Sequence, residues 1–142
     1  MIKKIKNLNI NYIQYGHGED VVLLHGWGQN IKMMDPLGKN ITNKRITILD
    51  LPGFGSSMEP DFAYNISDYA SLLHDLLVEL GICNPTLIGH SFGGRVAIYY
   101  ASIYPVEKLV LFGSPFIKRE NGGIKVKVLK SLKNIKFLNN LA

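Results

Sequence analysis

The stretch from Pro85 to Pro105, PTLIGHSFGGRVAIYYASIYP, constrains the rest of the chain more than any other. It predicts a short apolar strand over 86–88, a glycine-bracketed serine (Gly89, His90, Ser91, Phe92, Gly93) and a helix running to about Tyr104. A serine between a buried strand and a helix sits on a very sharp turn with a strained backbone, and its hydroxyl stands clear at the edge of the sheet. The residues two before and two after it pass close to neighbouring backbone, where a Cβ would clash and glycine has none. Gly94 extends that allowance into the first helical turn. A helix starting at Phe92 also aims free N–H groups at whatever negative charge forms beside Ser91. This is the pattern of a nucleophile elbow. The plainer alternative for the same residues is a serine in a helix-capping turn, so the surroundings have to decide.

Those surroundings alternate strand and helix. Residues 2–15 alternate loosely, with Leu8, Ile10 and Tyr12 set against Asn7, Asn9 and Asn11, and read as a strand pair. Val21 to Leu24 is a continuous apolar run, as expected of a strand buried on both faces of a parallel sheet. It ends in His25-Gly26-Trp27-Gly28-Gln29-Asn30, followed by a short helix over 31–41. A second apolar strand at 46–49 closes with Asp50-Leu51-Pro52-Gly53-Phe54-Gly55-Ser56-Ser57, and 56–65 read as exposed loop. From 66 to 80, Ala70, Leu73 and Leu77 recur at helical spacing beside Leu72, Leu76 and Leu80, with Gly81 as the stop. After the serine unit, 108–112 form another strand, ending at Gly113-Ser114-Pro115.

The order is a hairpin, then strand and helix alternating three times, then a strand. It predicts an α/β fold with a mostly parallel twisted sheet, helices on both faces and right-handed crossovers. Ligands in such sheets bind at the carboxyl ends of the strands. The loops at 25–30, 50–57, 89–93 and 113–115 all fall there.

With 142 residues, 46% of them hydrophobic, the chain can bury one core. No apolar run approaches bilayer-spanning length, and the basic start leads into no signal-peptide core, so a cytoplasmic location is the expectation. The single cysteine, Cys83, precludes an internal disulfide and has no metal-ligand partner at suitable spacing. The net charge of +5 is unevenly spread: residues 118–142 hold seven basic residues and one acid, whereas 1–117 are nearly balanced. In 117–142, Ile124, Val128, Leu132, Ile135 and Leu138 fall near one helical face and Lys130, Lys133 and Lys136 opposite, which predicts an amphipathic helix with a solvated lysine face. Phe137 alone does not supply the aromatics or anchors that a membrane surface or nucleic acid would call for.

His25-Gly26-Trp27-Gly28, then Asp50-Leu51-Pro52-Gly53-Phe54-Gly55 with Ser57, then Gly89-His90-Ser91-Phe92-Gly93-Gly94 resemble, in order and spacing, the α/β-hydrolase superfamily. The resemblance runs from residue 1 to about 115. In motifs it is nearest the small carboxylesterases around the pimeloyl-carrier-protein methyl ester esterase, with proline iminopeptidases and menaquinone-pathway relatives not distinguished. It implies a serine-dependent hydrolase of esters or related acyl compounds, acting on small molecules through an acyl-enzyme without metal or cofactor. Ser91 would be the nucleophile, the backbone N–H groups of Trp27 and Phe92 the oxyanion hole, and Gly26, Gly89 and Gly93 the supporting turns.

Other polar residues read as structural. His25 is expected to brace its turn, and His90 to point away from the serine hydroxyl. His17 and His74 are expected to be exposed or packed, Asp50 to cap backbone in an Asx-type turn, and Arg95 to serve an ion pair or packing.

The superfamily supplies its triad in the order Ser, acid, His. No histidine follows Ser91, and the only later acids are Glu107, at the start of a strand, and Glu120. The resemblance therefore implies the N-terminal part of a hydrolase core over 1–115, stopping after the sixth strand. The start of a helical cap follows over 116–142, through a shortened sequence or an interrupted gene. A non-catalytic binding module that works with a partner chain is the alternative. Substrate identity and oligomeric state are not encoded in these motifs.

Overall fold

In the computed structural model the described residues are 1–114 and the strand Ile135–Phe137. The chain opens with a hairpin, β1 (Ile2–Ile5) and β2 (Leu8–Gly16), followed by β3 (Glu19–Leu24), α1 (Ile31–Lys39), β4 (Lys44–Leu49) and α2 (Ile66–Glu79). Then come β5 (Thr86–His90), α3 (Phe92–Ile103), β6 (Lys108–Phe112) and β7 (Ile135–Phe137). The strands form one sheet in the order β1-β2-β4-β3-β5-β6-β7. β1 and β2, and β2 and β4, pair antiparallel; every pair from β4 to β7 is parallel. The α/β class and the mostly parallel sheet are those the sequence predicts.

Side-chain alternation along the strands builds two cores. Val22 and Leu24 of β3, Leu87 of β5 and Leu109 and Leu111 of β6 face α2 and α3, where Leu72, Leu73, Leu76, Leu77, Val96 and Ala97 meet them. Val21, Leu23, Ile46, Ile48 and Ile88 face the opposite way, onto Met34 of α1. A strand covered on both faces has no solvent side, which is why 21–24 and 46–49 read as unbroken apolar runs.

The starts of α1 and α2 are capped by side chains. Asn65 and Asp68 exchange side-chain and backbone hydrogen bonds in a capping box at the start of α2. Asn30 accepts from the Lys32 N–H at the start of α1.

The amphipathic helix expected over 117–142 lies mostly outside the described residues, and its described part, Ile135–Phe137, is a strand beside β6. The outer edge of β6 presents a row of ladder donors and acceptors, and any extended segment that reaches it gains hydrogen bonds that helical periodicity does not register.

Candidate functional site

The parallel arrangement brings the ends of β3, β4, β5 and β6 to one edge of the sheet, and the glycine-bearing loops lie there together. Ser91 stands between the last residue of β5 and the first of α3 with φ 50° and ψ −113°. This is a conformation that costs a non-glycine residue on the order of 1–3 kcal/mol and persists only where the surroundings enforce it. Those surroundings are backbone. The Ser91 N–H donates to the Phe112 carbonyl of β6 at 3.1 Å, and the Ser91 carbonyl accepts from Arg95 N–H at 3.2 Å. The Ser91 side chain makes no capping bond to the helix it precedes.

The flanking glycines make this turn possible. A Cβ on Gly89 would lie 2.5 Å from Gly94 Cα and 2.8 Å from the Gly93 carbonyl oxygen. One on Gly93 would lie 2.5 Å from the His25 carbonyl oxygen and closer still to that of Leu24. Gly93 thus lets the first turn of α3 lie directly on the end of β3, and Ser91 is held against the loop that follows it.

That loop begins with a tight turn in which Gln29 N–H donates to the Gly26 carbonyl at 3.2 Å, with Gly28 at φ 71°. Trp27, at its corner, is 66% exposed, and its ring meets Phe92 edge-on at 5.0 Å and Phe54 at 4.8 Å. Trp27 and Phe92, the residue after Ser91, are therefore neighbours across 65 residues of sequence.

The Gln29 carboxamide oxygen accepts from Gly26 N–H at 2.9 Å and lies 3.1 Å from His90 Nδ1. An acceptor already facing one N–H requires His90 to carry its proton on Nδ1. Gln29 thereby clips the Trp27 turn to the residue preceding Ser91. A Cβ on Gly26 would sit 2.9 Å from Gln29 Oε1 and would displace that carboxamide from its contacts. His90 stacks on Phe112 at 4.8 Å.

His25 is fully buried. Its Nε2 accepts from Leu51 N–H at 2.9 Å and its Nδ1 faces the Gly26 carbonyl at 2.7 Å, so the neutral Nδ1–H tautomer satisfies both ends. Burial lowers its pKa below the ordinary 6.5, against smaller opposing contributions from the Gly26 carbonyl and Asp50. The ring braces two loops, as the sequence suggests.

Asp50 does more than the expected local cap. It is 2% exposed, and its carboxylate accepts from Ile31 N–H at 2.8 Å, Ser56 N–H at 2.8 Å and Asn11 Nδ2 at 2.9 Å. Ser57 Oγ adds a bond to the Asp50 carbonyl at 2.6 Å and accepts from Asn11 N–H at 2.9 Å. These bonds tie β2, the start of α1 and the loop after β4 into one frame.

The remaining sequence candidates lie elsewhere. His17 is exposed in the β2–β3 turn, and His74 of α2 stacks on Tyr104 at 3.8 Å. Cys83 is exposed. Arg95 is exposed and forms no ion pair among the described residues, contrary to expectation, because it is the solvent-facing position between buried Gly94 and Val96. Glu107 precedes β6 at the opposite end of the sheet.

A profile of the alpha/beta hydrolase fold matches residues 21–129. The chain belongs to the α/β-hydrolase family. Among its relatives in this family, the pimeloyl-[acyl-carrier protein] methyl ester esterase of Shewanella sp. (strain MR-7) is 36% identical over 109 residues, covering 74% of this chain and 39% of the relative. Lipase 3 of Moraxella sp. (strain TA144) is 35% identical over 92 residues, covering 63% of this chain and 29% of the lipase. An esterase structure from Exiguobacterium antarcticum superposes with a TM-score of 0.75 at 29% identity, covering 83% of this chain and 47% of that one. This hydrolase-family chain thus spans less than half the length of the relatives it matches. Among its described residues no helix is long and apolar enough to cross a membrane.

Proposed function

We propose that Ser91 is the nucleophile of a serine-dependent hydrolase of carboxylic esters or related acyl compounds. The observation that carries this reading is the enforced φ of 50° at Ser91, between β5 and α3, with its side chain left out of helix capping. Strain maintained by Gly89 and Gly93 at a residue whose side chain makes no capping bond is the signature of a positioned reactive group.

The reaction runs in two displacements. Ser91 Oγ attacks the ester carbonyl carbon while a general base takes its proton, and the carbonyl oxygen becomes an oxyanion. Phe92 opens α3, so its N–H is one of the helix's orphan donors, and with the Trp27 N–H it holds that oxyanion. Collapse expels the alcohol, which recovers the proton, and leaves an acyl-Ser91 ester. Water, deprotonated by the same base, repeats the sequence and releases the acid.

Serine needs an adjacent base. His25 and His90 are engaged with Leu51 and Gln29, and no histidine follows Ser91 in the sequence. The reading therefore assigns the triad acid and histidine to residues outside these 142. The methyl ester named for the Shewanella relative and the esterase name of the Exiguobacterium structure support an ester or related acyl substrate, and a cytoplasmic setting fits it.

The absent histidine also motivates a second reading, a non-catalytic module that acts with a partner chain. Ester hydrolysis by the full-length gene product distinguishes the two. Ser91→Ala should lower turnover of p-nitrophenyl butyrate by about a thousandfold or more. Unchanged turnover in that variant would refute the nucleophile assignment. An inactive wild-type protein whose Ser91 takes no phosphonate label would favour the partner-dependent module.

A further inference from the structure

Beside the Trp27 turn, the segment from Pro52 to Tyr69 encloses a cleft of about 440 Å³. It is lined by the aromatic residues Trp27, Phe54, Phe62, Tyr64 and Tyr69 and by two acidic residues, Glu59 and Asp61. The volume is within the range of small-molecule sites.

The rings stand across one another rather than in stacks. Trp27 meets Phe54 at 73°, Tyr64 meets Tyr69 at 83°, and Phe62 is tilted 49° to Tyr64. Tyr69 is also edge-on to Phe92 at 5.1 Å and is buried, so the π-faces left available are those of the exposed Trp27 and Phe62. Those faces carry negative quadrupole density, which attracts cations. Burial pushes the Tyr64 and Tyr69 phenols above their ordinary 10.0, so both rings stay uncharged near neutrality.

The charge lining has one sign. Among the described residues no lysine, arginine or histidine lines the cleft, the charge of Lys6 reaches Tyr64 only from outside the lining, and neither Glu59 nor Asp61 pairs with a cation. Phe62 is 63% exposed and Trp27 66%, an unusual outlay of aromatic surface beside two carboxylates. An acyl chain would use the rings but gain nothing from the acids, and an anion would be repelled by both.

We infer that this cleft is a binding site for a small organic ammonium group, held by cation–π contact with Trp27 and Phe62 and by the charges of Glu59 and Asp61. Its place in catalysis rests on the acyl-transfer reading: Trp27 belongs to both, lining the cleft and with its N–H in the oxyanion hole. An ester bearing an ammonium group on one side of the scissile bond would then span cleft and serine.

Choline and its neutral isostere 3,3-dimethylbutan-1-ol are titrated into the full-length gene product by calorimetry. Choline should bind saturably, and tighter than the alcohol by about fivefold or more. The double variant Glu59→Gln/Asp61→Asn, altered only at exposed positions, should lose most of that preference, and added salt should weaken choline alone. Equal affinity for choline and alcohol would overturn the inference by showing a merely apolar cleft. A saturable response to neither would overturn it as well. The titration reads no turnover, so it stands or falls separately from the assignment of Ser91.

Discussion

Replacing Gly93 by alanine sets two effects of opposite sign against each other. Gly93 lies in the first turn of α3, where its φ is not positive, and alanine is the better helix former by about 1 kcal/mol. Propensity alone therefore predicts a stabilised variant. The packing predicts the reverse. The new methyl would sit 2.5 Å from the His25 carbonyl oxygen, about 1 Å inside the ~3.5 Å at which nonbonded heavy atoms are most stable, and nearer still to the Leu24 oxygen. Both obstacles are backbone at the end of β3, so no rotamer change relieves them, and α3 must lift off the sheet. Overpacking costs about 1–3 kcal/mol, and a clash with two backbone atoms lies at the top of that range. Net of the helix gain, Gly93→Ala should lose about 2 kcal/mol, or roughly 6 °C in Tm. Urea denaturation followed by circular dichroism measures it directly, with an unchanged m-value confirming that the unfolded state is not the cause. Gly94→Ala should be destabilised as well, since its methyl would lie 2.6 Å from Ser114 Cβ, which no rotamer change moves, and 3.3 Å from the Gly89 carbonyl oxygen. A Gly93→Ala protein at least as stable as the parent would refute the close approach of α3 to β3, and with it the reason Ser91 is held where it is.

Ser91→Gly should do the opposite of most glycine substitutions. Releasing the φ of 50° recovers strain on the order of 1–3 kcal/mol against a backbone-entropy cost of about 0.5–1, so the midpoint should rise by a few degrees while any ester hydrolysis is lost; a lowered midpoint would contradict the strain. His25 supplies a pH dependence. Its folded pKa is depressed below 6.5, so its contribution is complete above the unfolded value and is lost as pH falls from there toward the folded pKa. The slope should not exceed about 1.4 kcal/mol per pH unit. Stability measured at pH 7.5, 6.5 and 5.5 should decline in the parent more than in His25→Gln, and parallel curves would exclude His25 as the source.

Much of this was legible in the sequence, because it is encoded locally. The period of α2 fixes which leucines it buries. The double-faced apolar runs mark β3 and β4, and the glycines around Ser91 announce a turn that other residues cannot make. The partners of polar side chains were less accessible. Nothing in the loop after β3 distinguishes Gln29 from its neighbours, since its role depends on His90, 61 residues away. Asp50 reads as a local cap because its nearby donors are visible in sequence, whereas Asn11, 39 residues earlier, is not. The strand at Ile135–Phe137 escaped for a related reason. A helical repeat describes the segment itself, whereas strand formation depends on the vacant edge it meets.

The sheet order also bears on when these loops can exist. β3 pairs with β4, and then with β5, whose first partner contact joins Val21 to Thr86. The Trp27 turn is therefore synthesised some sixty residues before the strand that seats Ser91 against it. Until β5 and the start of α3 arrive, His90 cannot meet Gln29 and Gly93 cannot close over Leu24. Closing so long a loop precedes the contacts that reward it, which slows assembly. The β1–β2 hairpin can form early from neighbours in sequence, and the serine turn is completed late. Substitutions at Gly93 should accordingly register more in the unfolding rate than in the folding rate if α3 docks after the transition state. On a ribosome, Leu24 would wait uncovered for Val96 and Ala97 of α3, giving a chaperone an apolar handle on the unfinished chain.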